Sequence, residues 1–301
     1  MEMLFPPGQP VNEKMPLWRY MKLSSFFMLL EGRAFFPSAA RLRSGDPLEG
    51  DLLPEPEELM SVLQDECGGD ASNLVYWLKN HSNDIQKMML DANPNDAILG
   101  SSIFSSCYIE ELAKRRAVWC WFNASHESAG MWSVYGNAGI AIRTSFSGLK
   151  ASLPSDVPFQ IAKIMYADRA AGGQLSLVGN DRHLFHRPHL IKGREYAHEN
   201  EIRVTTRCLP DESGRMVENI NALTLIEEVV LSPLFPIGEA KAVQSQIEKF
   251  PWGSSKPDIR RSSILGRIAV IEENNARFTG IFKGPTVEEA EPGLPSPLNK
   301  L

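Results

Sequence analysis

Two carboxylates one residue apart, Glu199 and Glu201, stand ahead of an arginine in the run Lys192-Gly193-Arg194-Glu195-Tyr196-Ala197-His198-Glu199-Asn200-Glu201-Ile202-Arg203-Val204. A strand beginning near Glu199 puts Glu199, Glu201, Arg203 and Thr205 on one face and Ile202 and Val204 on the other. Close carboxylates raise each other's pKa, whereas Arg203 and His198 pull the other way. Such a pair can hold one group as proton acceptor and the other as charge stabiliser. A solvated strand whose Glu201 and Arg203 pair with neighbours uses the same residues and does no chemistry.

Two further clusters offer binding groups. In Met131-Trp132-Ser133-Val134-Tyr135-Gly136, a helical turn places Trp132 and Tyr135 three apart on one face, a surface able to stack on a flat ring or to join the core. Near the start, Arg19 lies between Trp18 and Tyr20, and a guanidinium fork suits a phosphate or diphosphate; a surface arginine is the plain alternative. Lys192 and Arg203 are further candidate substrate-binding groups, and the nearby Arg187 and Arg194 add positive charge that could help bind a diphosphate.

His183, His186 and His189 recur at steps of three and invite a zinc site, the basis of a competing reading as a metal-dependent hydrolase. Pro188 interrupts the helical face such a site needs, and no H-E-x-x-H is present, so no metal is expected. Cys120 sits in Val118-Trp119-Cys120-Trp121-Phe122, too apolar a setting for a thiolate, and reads as a core thiol.

The elements that must position these groups are short and mixed. Strands are expected at 17–21, 34–36, 117–122, 139–146, 159–166, 201–207, 227–231 and 264–271, with helices at 26–30, capped by Ser24-Ser25, and at 238–250. Without regular βαβ alternation the pattern predicts an α+β fold, a mixed, mostly antiparallel sheet with peripheral helices. Residues 1–16 read as an N-terminal extension, 17–287 as one domain with a helical insertion at 51–100, and 288–301 as a flexible tail.

A chain of 301 residues, 43% hydrophobic and 23% charged, can bury a sizeable core. The net charge of −6 argues against bulk binding to nucleic acid or acidic lipid. The four cysteines, Cys67, Cys107, Cys120 and Cys208, form no C-x-x-C pair. No apolar run approaches a membrane span and no basic leader opens the chain, so a cytoplasmic protein is expected. Neither G-x-G-x-x-G nor a P-loop is present, which weakens any Rossmann or nucleoside triphosphatase proposal.

The order W-R-Y, D-P-L-E-G, M-W-S-V-Y-G with G-I-A-I, and K-x-x-E-Y-x-x-E-x-E-I-R-V resembles the bacterial domain-of-unknown-function family 2971 over about Leu17 to Leu231. That family name implies no activity. More distantly, an early arginine with an aromatic, a middle aromatic element and a late E-x-E are ordered as in ADP-ribosyltransferases. That resemblance implies NAD as a consumed substrate rather than a resident cofactor. It implies Arg19, with Tyr20, as the early NAD contact, and Tyr135 or Trp132 as the stacking aromatic. Glu201 becomes the catalytic acid and Glu199 the group that orients the acceptor, a protein or nucleic acid, in a toxin or defence effector. The S-T-S motif of that superfamily is missing; only Ser133 stands in the corresponding element. On this reading Glu201→Gln removes activity with little effect on thermal stability. A non-catalytic interaction module stays open as the third class of function.

Overall fold

The computed structural model describes residues 1–5, 11–43, 46, 49, 50, 113–135, 139–169, 175, 187–209 and 213–264. The expected helical insertion at 51–100, the strand at 264–271 beyond its first residue, the tail at 288–301, His183 and His186 lie outside them.

An eight-stranded mixed sheet, mostly antiparallel, forms the centre of an α+β fold. Its strands are β1 (Glu2–Leu4), β2 (Pro16–Met21), β4 (Arg116–Asn123), β5 (Ile140–Ser145), β6 (Gln160–Lys163), β9 (Glu201–Arg207), β11 (Glu228–Leu231) and β12 (Asp258–Arg261), in the order β1-β6-β9-β4-β2-β5-β11-β12. β3 (Ala34–Pro37) pairs with β10 (Gly214–Val217), and β7 (Met165–Ala167) runs parallel to β8 (Ile191–Gly193). The segment before residue 17 is not wholly an extension, because Glu2–Leu4 pairs in parallel with residues 160–162 of β6 as an edge strand.

Alternation along the strands sorts the two faces. Leu17 and Met21, Trp119 and Trp121, Ile140 and Ile142, and Ile202 and Val204 enter one large apolar core. Phe26 and Leu29 of α1 (Leu23–Leu30), Phe146 and Leu149 of α4 (Phe146–Ser152), Ala222 and Leu225 of α5 (Ala222–Leu225) and Ile247 of α6 (Ile237–Glu248) pack into it, the helices α2 (Ala39–Leu42) and α3 (Ala129–Tyr135) lying elsewhere. Phe36 stacks on Trp119 at 4.8 Å and Trp119 meets Trp121 edge-on at 4.9 Å, the offset and T-shaped contacts that the ring quadrupole favours. Helix α1 begins three residues earlier than the sequence suggests. Lys22 is its N-cap, without a side-chain bond, and Ser24 and Ser25 lie inside it.

One junction in the sheet is incomplete. β4 pairs with β9 along seven residues and β2 with β5 along six, but β2 and β4 pair only as Leu17 with Asn123 and Trp18 with Phe122. From Arg19 onward the two strands part, so the sheet is two four-stranded halves joined at one end.

Candidate functional site

Of the groups singled out from the sequence, Glu199, Glu201, Lys192 and Arg203 gather on β9, β8 and the turn between them, and Arg19 lies at the open end of the β2–β4 junction. Asn200 decides how. Its backbone is left-handed, with φ 39° and ψ 53°, a conformation asparagine tolerates better than most residues. Asn200 Nδ2 donates to the Asn123 carbonyl at 2.7 Å and the Asn123 N–H donates back to the Asn200 carbonyl at 3.1 Å, fastening the turn to the end of β4. The strand therefore begins at Glu201, and Glu199 ends the 3-10 helix Arg194–Glu199. The expectation that Glu199 and Glu201 share a strand face is corrected, because a left-handed residue between them breaks the period of two.

Their side chains still meet, through Lys192. Its Nζ lies 2.7 Å from Glu199 Oε2, 3.7 Å from Glu201 Oε2 and 4.0 Å from Glu49 Oε2, and sits 4.8 Å from the centre of the Tyr196 ring. Arg203 is fully buried. Its Nε and Nη2 donate to Glu201 Oε1 and Oε2 at 2.7 and 2.9 Å, its Nη1 lies 2.7 Å from Glu49 Oε1, and Nη1 also donates to the His189 carbonyl. Lys192 and Arg203 are thus struts of a buried ionic cluster and not groups open to a substrate. That corrects their expected binding role: alternation carries Arg203 to the same side of β9 as Glu201, where the fork of one matches the carboxylate of the other.

Charge in this cluster responds to burial and to the opposing ions. Burial pushes the Glu201 carboxyl up, but Arg203 and Lys192 outweigh it and hold the pKa below the usual value. At Glu49 burial wins over the same two cations and the pKa rises. Burial pulls Lys192 down, yet the glutamates around it raise its pKa overall, so it stays an ammonium. Burial drives the Cys120 thiol up, and that thiol hydrogen-bonds to Glu201, in agreement with its reading as an unreactive core thiol.

Arg19 enters from the other half of the sheet. Its Nη1 donates to the Cys120 carbonyl and its guanidinium lies 5.2 Å above the Trp119 ring. Burial lowers its pKa to about 10, offset in part by Cys120, Glu201 and Tyr135, which lie within electrostatic reach. The parting of β2 from β4 makes this possible, since a long side chain takes a strand carbonyl past the point where the β2–β4 ladder ends.

Tyr135 is about half exposed, and its hydroxyl donates to Glu199 Oε1 at 3.4 Å. Burial of the hydroxyl end, with Glu199 beside it, raises its pKa, so it remains a neutral donor. Trp132 does not share that position. It is buried, its Nε1 donates to Glu127 Oε2 at 2.9 Å, and its ring meets Tyr20 edge-on at 4.9 Å. Tyr20 is buried too, its hydroxyl accepting from the Ser128 N–H at 2.8 Å. The expected binding roles of Trp132 and Tyr20 are therefore corrected: the Trp132–Tyr20 pair closes the apolar layer beside Trp18 and Ala141. Trp132→Phe is expected to cost about 1–2 kcal/mol of stability by leaving Glu127 short of a donor. Urea denaturation measures this, and an unaltered midpoint would return Trp132 to the candidates for ligand contact.

Two members of the cluster, Glu49 and Tyr166, have no site role in the reading of the sequence, and His189 has one only as a candidate metal ligand. Glu49 sits in Asp46-Pro47-Leu48-Glu49-Gly50, whose composition signals only a turn. Tyr166 accepts the Glu201 N–H at its hydroxyl at 2.8 Å, and no motif marks it. His189 is buried with neither ring nitrogen hydrogen-bonded, next to a cavity with room for about one water that Arg43, Glu49 and Pro188 also line. Among the described residues no three His, Cys, Asp or Glu side chains gather as a metal cage.

No family model, no curated protein and no solved structure matches this chain. Its class is therefore stated from the fold and the site alone: an α+β protein whose parted sheet holds a buried cluster of glutamate, lysine and arginine beside a half-exposed tyrosine. No helix among the described residues is long and apolar enough to cross a membrane.

Proposed function

We propose that this protein consumes NAD, cleaving the bond between nicotinamide and ribose and passing the ADP-ribosyl group to water or to a protein or nucleic-acid acceptor. The observation that supports the reading is a relay of contacts where β2 parts from β4: Arg19 binds the Cys120 carbonyl, the Cys120 thiol binds Glu201, and the Tyr135 hydroxyl binds Glu199. Buried charge of this density is costly to maintain, and such clusters concentrate at functional sites. The order of these residues along the chain resembles that of ADP-ribosyltransferases.

In this reaction the C1′–N1 bond breaks and its electron pair goes to the pyridinium nitrogen, giving neutral nicotinamide. Positive charge develops on the ribose, and a fixed carboxylate stabilises it. The acceptor oxygen bonds to C1′ and releases a proton, so NAD and water give nicotinamide, ADP-ribose and one proton. Arg19 supplies the guanidinium for the diphosphate and Tyr135 the ring against nicotinamide.

The test is nicotinamide release from NAD by the full chain and by Arg19→Ala. The wild type is expected to release nicotinamide, and the variant to show a KM raised about tenfold or more, the loss of one charge-assisted contact. No release by the wild type, or an unaltered KM in the variant, would overturn the assignment.

A further inference from the structure

We propose that Glu199, and not Glu201, is the carboxylate that meets the reacting sugar carbon. This inference rests on the NAD reading above.

Glu201 has no oxygen to spare. Both are held by the fully buried Arg203, at 2.7 and 2.9 Å, and Lys192 stands 3.7 Å from Oε2. The Cys120 thiol adds a further bond to this carboxylate, and only 4% of the side chain is exposed. To face a ribosyl cation it would have to give up one arm of a bidentate pair and leave a buried guanidinium half bonded.

Glu199 is differently placed. Oε2 takes one bond from Lys192 at 2.7 Å, and among the described residues Oε1 has only the Tyr135 hydroxyl, at 3.4 Å, a length at which little bond strength remains. Its side chain is 10% exposed and is reached by the hydroxyl of the half-exposed Tyr135, the aromatic assigned to nicotinamide. The left-handed Asn200 produces this arrangement by turning Glu199 off the strand that locks Glu201 in place. Lys192 then acts as a positioning residue, fixing one oxygen and leaving the other to the Tyr135 hydroxyl.

In the step itself, the C1′–N1 electron pair leaves with nicotinamide, Oε1 of Glu199 stabilises the positive charge left on the ribose, and the water oxygen bonds to C1′. The carboxylate takes the water proton and releases it to solvent, so it ends the cycle unchanged. Glu201 contributes by holding Arg203 and, through it, Glu49 and the His189 carbonyl.

The experiment compares Glu199→Gln with Glu199→Asp by nicotinamide release at saturating NAD, with melting temperatures measured on the same preparations. Glu199→Gln is expected to lower kcat about 100-fold or more with KM within about threefold, and to lower the melting temperature by several degrees, because Lys192 keeps only its longer approaches to Glu201 and Glu49. Glu199→Asp keeps the charge and the fold, and is expected to recover part of kcat. If Glu199→Gln does not fold, Glu199→Asp alone decides, since one methylene withdraws the carboxylate and must reduce kcat at unaltered KM. A wild-type kcat in the folded variants, with the wild type active, would overturn the role of Glu199 and leave the NAD reading standing. A wild type that releases no nicotinamide would overturn both.

Discussion

Glu201→Gln is expected to lower the unfolding free energy by about 3 kcal/mol, and with it the melting temperature by roughly 10 °C. The substitution keeps the shape of the side chain and removes the charge that Arg203 faces with two of its nitrogens. Arg203 is fully buried, so water cannot take the place of the lost carboxylate, and Glu49 remains as its ionic partner. A buried ion that loses a counter-ion, and with it a bidentate pair, is one of the few causes of losses this large. This reverses the expectation from sequence that Glu201→Gln leaves thermal stability alone. Pairing the change with Arg203→Met removes the stranded cation, so the double variant is expected to recover part of the loss, and that non-additivity is the signature of the pair. Equal melting temperatures for wild type and Glu201→Gln would show that the carboxylate does not hold Arg203 in solution.

The second large effect is a loss of stability in mild acid that depends on His189. Burial, then the charges of Arg116, Arg203 and Arg187, push the imidazole pKa well below its ordinary value of 6.5, and both ring nitrogens lack hydrogen-bond partners. Arg43 and Glu49 line the small cavity on its other side. Below pH 6.5 the unfolded chain therefore binds a proton that the folded one refuses, and stability falls as pH falls. The contribution of His189 is expected to decline by about 1 kcal/mol per pH unit between pH 6.5 and pH 5. Glu201, whose pKa is held down, adds a loss of the same sign below about pH 4.5. Glu49, pushed up, has the opposite sign, so the imidazole is isolated by comparing wild type with His189→Leu across pH and not by the wild-type slope alone. Urea denaturation at pH 7.5, 6 and 5 makes the comparison. A stability difference between the two proteins that does not vary with pH would mean that His189 is not held neutral.

Much of the sheet is legible in short-range patterns. Alternation sends Leu17 and Met21 to one face and Trp18 and Tyr20 to the other. The apolar run from Ala117 to Phe122 marks a buried strand, observed as Arg116–Asn123, and the strand at 201–207 has the expected bounds. These succeed because side-chain direction in a strand depends only on position along it. Trp132 and Tyr135 show the limit of such reasoning. A spacing of three puts both on one helix face, but which of them meets the sheet depends on how the helix lies on β2. The structure buries the first against Tyr20 and leaves the second half exposed.

By itself the amino-acid sequence determined the α+β class, the strands that carry Arg19 and Glu201, and the residue types from which an ionic cluster could form. Those are properties of local period and composition. Tertiary structure decided which groups meet: Glu49 reaches Arg203 from more than 150 positions away, Arg19 reaches the Cys120 carbonyl because β2 leaves β4, and Glu199 is turned aside by a single left-handed residue. Each of these depends on the energy of burying charge beside its partner. That energy is set by distance in space and by exclusion of water, neither of which is written in the order of residues along the chain.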